Sequence, residues 1–116
     1  MNTNQVHPAL VSLFGMDSPA DAGNPKFFPL FEDSSPINHL TADDPPILVF
    51  FSQRNDPLPP NSPGEQHIHH PKFGFALKEK ADRLGVACTL ILREDQPEGF
   101  PVDRFAEFFR TRLSRR

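Results

Sequence analysis

Two apolar runs, Ile47 to Ser52 (ILVFFS) and Ala87 to Leu92 (ACTLIL), lie about 34 residues apart, and that spacing constrains the architecture more than any other feature of the chain. Each run is too short for a typical helix, is rich in β-branched or bulky side chains, and lacks polar alternation, the pattern of a strand covered on both faces. Strands of that kind pair in parallel, and parallel neighbours need a long crossover, usually helical. The segment between the runs supplies one. From Pro71 to Gly85, the residues Phe73, Leu77, Ala81 and Leu84 share one helical face, while Lys78/Asp82 and Glu79/Arg83 form opposite-charge pairs four apart on the other. Pro71 suits the first turn and Gly85 the left-handed position after the last. A second helix is predicted from Asp103 to about Leu113, with Phe105, Phe109 and Leu113 on one stripe, Phe108 beside it and acidic Asp103 in the first turn.

The region before Asp43 is harder to pattern. Ala9 to Gly15 (ALVSLFG) reads as a short buried strand ending at a glycine turn. Asn24 before Pro25 predicts an N-cap and a brief helix, with Phe27, Phe28, Leu30 and Phe31 packing inward. Residues 57–70 and 93–101 read as loops. Strands alternating with helices define an α/β layer, in which ligand sites lie beyond the carboxyl ends of the strands. A chain of 116 residues holds a single small domain, divided here into a strand and loop-rich part, 1–42, and a strand-helix-strand-helix part, 43–116. The 14 prolines favour irregular structure, and the 12 phenylalanines still permit a core.

Charge and composition exclude several partners. A net charge of −3 gives no global positive field for phosphate backbones, so nucleic acid is not expected. The arginines at 104, 110, 112, 115 and 116 match what a helix C-terminus attracts. The single cysteine, Cys88, excludes an internal disulfide and reads as a small buried hydrophobe. No stretch has the length of a membrane span, and MNTNQVHPAL lacks the charged start and apolar centre of a signal peptide, so no membrane partner is expected.

Ser35-Pro36-Ile37, Asp44-Pro45-Pro46 leading into an apolar strand, Asn55-Asp56-Pro57-Leu58-Pro59 after it, a helix ending Leu84-Gly85-Val86, a further strand and a closing helix with Phe108-Phe109 together resemble the C-terminal part of an α/β-hydrolase, in its esterase/lipase, carboxylesterase-like branch. The resemblance covers nearly all of this chain but only the last strands and helices of the larger fold. It implies a partial α/β-hydrolase-like layer of about three mostly parallel strands and two main helices. It also implies that Asp56 is the acid of a Ser-Asp-His triad, holding an imidazole in the correct tautomer while the imidazole deprotonates a serine. The residues alone leave a second role for Asp56 open, that of a turn cap before Pro57.

The other triad members do not match the family pattern. No serine sits in a G-x-S-x-G elbow. The loop expected to carry the histidine reads Arg93 to Phe100, with Glu98 in the histidine's place, and a carboxylate there cannot act as the same base. Three histidines cluster at His67, His69 and His70, so His69 or His70 is a candidate replacement, and His67-x-His69 has a chelating spacing without a further partner to complete a metal site. No cofactor and no bound metal are expected. Two functions follow as expectations: the C-terminal portion of a serine esterase, acting on a carboxylic ester only in the complete enzyme, or a noncatalytic module that works by association. Apolar strands with open edges predict self-association or pairing with a missing N-terminal segment.

Overall fold

The computed structural model describes residues 6–114, which form two compact units. One contains the chain up to Leu40 together with Asp56–His70; the other contains Thr41–Asn55 together with the chain from Pro71 onward.

The second unit holds the sheet. Strand β1 (Ile47–Phe51) and strand β2 (Cys88–Leu92) pair in parallel, with Ile47 opposite Cys88 and Phe51 opposite Leu92. Side chains alternate across a strand, and register partners in a parallel pair share a face. Ile47, Val49, Phe51, Cys88, Leu90 and Leu92 therefore lie on one face, and Leu48, Phe50, Thr89 and Ile91 on the other. Helix α5 (Lys72–Leu84; α1–α4 belong to the first unit) covers the first face, where the backbone of Gly74 meets Phe51 and Leu90. Helix α6 (Val102–Leu113) stands beside the second across an open groove lined by Leu48, Thr89, Asp103, Glu107 and Phe108, and Phe50 packs edge-on against Phe100, just ahead of that helix, with centroids 5.6 Å apart. Cover is fuller on the first face than on the second, where Ile91 is buried but Thr89 is exposed, and every residue of β1 is half-buried. Ala81, Val86, Cys88 and Ile91 form the buried centre.

The helix termini follow their sequence signals, and the predicted faces hold in part: Leu77, Ala81 and Leu84 of α5 are buried or half-buried, while Phe73 is not. Gly85 ends α5 at φ 78°, with its N–H directed to the Ala81 and Asp82 carbonyls. Lys78 and Asp82 make the expected pair at 3.1 Å, and Glu79 and Arg83 pair at 3.5 Å. Ala81 is fully buried as predicted, and Gly74 rather than Phe73, which is 51% exposed, takes the buried place at the start of α5. A smooth backbone surface lets the helix sit closer to the Phe51 ring than any side chain at position 74 would allow. On α6 the half-buried aromatics are Phe105 and Phe108, while Phe109 and Leu113 point to solvent. Arg115 and Arg116 lie outside the described residues.

The first unit is helical. The strand expected over Ala9–Gly15 is instead helix α1 (Pro8–Phe14), so the sheet has two strands among the described residues, not about three. The signals at its ends decide this. His7 caps it by accepting the Ala9 N–H on Nδ1 at 3.1 Å, Pro8 occupies the first turn, and Gly15 takes φ 67° while Met16 N–H closes onto the Val11 carbonyl at 2.9 Å. Ala and Leu are also better helix than strand formers. After two short 3₁₀ turns, Pro19–Gly23 and Pro25–Phe27, come helix α2 (Phe28–Ser34) and helix α3 (Pro36–His39). Asn24 caps the second turn as its sequence predicts, accepting the Lys26 N–H. Phe27 is buried and Phe31 packs edge-on against Phe14 at 4.8 Å, whereas Phe28 and Leu30 are exposed. Helix α4 (Gly64–Ile68) falls inside a segment expected to be loop.

Gly74→Ala should destabilise the protein. A Cβ there would stand 2.8 Å from Leu90 Cδ1 and closer still to the Phe51 ring edge, so overpacking of about 1–3 kcal/mol outweighs the roughly 1 kcal/mol that alanine gains over glycine within a helix. Urea unfolding should show a lower midpoint for this variant and little change for Gly23→Ala, where a Cβ meets nothing within 4 Å.

Candidate functional site

A backbone-to-carboxylate hydrogen bond joins the carboxyl ends of the two strands. Beyond β1 the chain passes Ser52 to Asn55, and beyond β2 it makes a 3₁₀ turn, Arg93–Asp95. The Asn55 N–H donates to Glu94 Oε1 at 2.5 Å. That bond, reinforced by the charges of Arg54 and Arg93, holds the Glu94 carboxyl below the usual glutamate range. The turn is braced by Arg93, whose guanidinium donates to the Gln96 carbonyl at 2.6 Å. Glu98, the residue in the expected histidine's place, is exposed and lines an open depression of about 320 Å³ with Gln96, Phe100, Asp103 and Arg104.

Asp56 belongs to the first unit and is exposed. Its backbone carbonyl, rather than its position as a potential triad acid, accounts for the contact with the histidine cluster: His70 Nε2 lies 2.7 Å from Asp56 O. A ring nitrogen facing a carbonyl must carry the proton, so Nε2–H donates and closes the segment Asp56–His70 on itself. In a serine triad the imidazole gives Nδ1–H to the carboxylate and keeps Nε2 for the serine proton. His70 has its Nε2 committed to backbone and is buried, which suits it to hold the loop.

The local fold explains how the three histidines separate. Pro63 precedes α4, and its carbonyl receives the Gln66 N–H at 3.0 Å, starting a single short helix that carries His67. His69 sits at the C-cap and is exposed, and His70 follows, buried beside Pro71. His67 Nε2 is buried and has no hydrogen-bond partner among the described residues. His7 caps α1, and the His39 ring contacts the Asp33 carbonyl. Among the serines, Ser18 belongs to a capping box with Asp21, and buried Ser62 closes a turn through its N–H to the Pro59 carbonyl at 3.0 Å. Among the described residues no group of three His, Cys, Asp or Glu side chains is placed to hold a metal ion, and no helix is long and apolar enough to cross a membrane.

One lysine carries more than its sequence position announces. Lys78, besides pairing with Asp82, donates to the Cys88 carbonyl at 3.1 Å. Burial pushes the Cys88 thiol up, with the Lys78 charge opposing and the Asp82 charge assisting, so the sulfur is not an activated nucleophile. The i, i+4 spacing revealed the Asp82 pair, while the reach to β2 depended on the packing of α5 on the sheet.

No protein-family model, curated protein or solved structure matches the chain.

The Asn55–Glu94 contact should titrate. Because the folded carboxyl ionises at lower pH than the unfolded one, the contact stabilises the fold above the ordinary glutamate range and is lost as pH falls through the folded value. Amide NMR should show the Asn55 N–H resonance moving upfield across a midpoint below that range, and Glu94→Gln should abolish that step. A flat Asn55 profile in the parent protein would contradict the contact.

Proposed function

We propose that this chain acts as a noncatalytic association module whose layout is related to the closing strand-helix-strand-helix part of an α/β-hydrolase. The observation that carries this reading is the distribution of large apolar side chains. Of the 12 phenylalanines only Phe27 is buried, while Phe28, Phe73, Phe75, Phe100 and Phe109 are exposed, joined at the surface by Val102 and Leu113. Single exposed apolar residues are ordinary, but this many on so small a chain is the composition of surfaces that meet other surfaces. The commitment of His70 Nε2 to a backbone carbonyl supports the same reading, because it removes the nitrogen a serine would need.

A second reading, that the chain is the C-terminal portion of a serine esterase acting on carboxylic esters when complete, draws support from the parallel pairing of β1 and β2 with a helix on each face, and from Asp56 following β1 in the sequence. The two readings diverge on turnover by the chain itself. Purified protein should hydrolyse a p-nitrophenyl ester no faster than buffer, with Asp56→Asn indistinguishable from the parent. Saturable turnover that Asp56→Asn removes would overturn the association reading and restore Asp56 to a triad.

A further inference from the structure

The two outer edges of the sheet are not equivalent. The Ile47 N–H donates to the Ala87 carbonyl at 2.8 Å, which sets the phase of the parallel ladder. In that phase Ile47, Val49 and Phe51 direct their backbone groups toward β2, while Leu48 and Phe50 direct theirs to the outer edge of β1. On β2 it is Cys88, Leu90 and Leu92 that face outward, and there the Lys78 ammonium occupies the Cys88 carbonyl. Lys78 lies on α5 rather than on the strand, but its ammonium fills an acceptor that an added strand would need, as a charge placed at a sheet edge does. No hydrogen bond among the described residues reaches the outward groups of Leu48 and Phe50.

We propose that β1 pairs antiparallel with β1 of a second copy of this chain, making one continuous sheet in the order β2-β1-β1-β2. This rests on the association reading and names its partner. The strand's own sequence selects the occupant. With Val49 on the twofold axis, Leu48 of each copy stands opposite Phe50 of the other, so both outward-facing residues exchange N–H and C=O bonds with their counterparts. Centring the pairing on Leu48 instead sets Phe50 opposite Pro46, which has no N–H to give. The flanks bear on orientation: Asp43 and Asp44 precede β1 and Arg54, whose charge also acts on Glu94, follows it, so an antiparallel copy centred on Val49 brings Arg54 of one strand alongside Asp44 of the other. A parallel copy sets like charges side by side and is disfavoured.

Sedimentation equilibrium of the full chain should show a mass rising from 13.1 kDa toward twice that value with concentration. Val49→Cys should form an interchain disulfide on mild oxidation, because residues across a twofold at a non-hydrogen-bonded pair stand close enough to bridge. Thr89→Cys, exposed but on the strand away from the axis, should not. Arg54→Glu should weaken association roughly fivefold or more through two symmetric like-charge contacts. A mass that stays at that of one chain up to about 1 mM overturns the inference. Association in which Val49→Cys fails to cross-link, or Thr89→Cys cross-links equally, also overturns it while leaving the association reading in place. Ester turnover lost in Asp56→Asn would remove that reading itself, whatever the mass.

Discussion

Parallel pairing of two five-residue strands is the constraint from which the second unit follows. A parallel pair cannot be closed by a hairpin, so the chain must leave after β1 and return through α5 before β2 can form. Strands that are apolar on both faces call for cover on each; α5 supplies it on one side, and α6 stands on the other across an open groove that leaves Thr89 exposed. Gly74 sets how closely the first helix approaches, since its bare backbone rests on Phe51 and Leu90. The crossover is unusually long because it includes Asp56–His70, which belong to the other compact unit.

The same constraint leaves backbone hydrogen-bonding groups along two outer edges, and the structure treats them differently. Lys78 reaches across from α5 to the Cys88 carbonyl and so guards β2. The edge of β1 carries no such guard among the described residues, and it is bracketed by opposite charges. Open edges and exposed aromatics are the two features on which the proposed association rests, and a small domain that buries few side chains of its own is where such features are expected.

The chemistry of the histidine cluster illustrates how little residue identity says without geometry. Asp56 and His70 are brought together, which the triad resemblance would welcome, yet through a carbonyl oxygen and Nε2. That arrangement closes a proline-rich loop and leaves the imidazole oriented for structure. Glu94, which no motif singled out, links the two strand ends by receiving the Asn55 amide.

The sequence by itself determined both strands, the crossover helix and the closing helix, because strand runs and helical periodicity are local patterns marked by Pro71 at one end of α5 and Gly85 at the other. It misled at Ala9–Gly15, where seven apolar-rich residues suit a buried strand or a short helix equally and the caps at His7, Pro8 and Gly15 decide. It also left α4 unseen, since five residues are too few to show a period. Only the tertiary structure decided that Gly74 rather than Phe73 faces the sheet, that Phe109 and Leu113 of α6 stay exposed, and which atom of Asp56 meets His70. Those outcomes depend on distances between segments far apart in the chain, and no local pattern of residues encodes such distances.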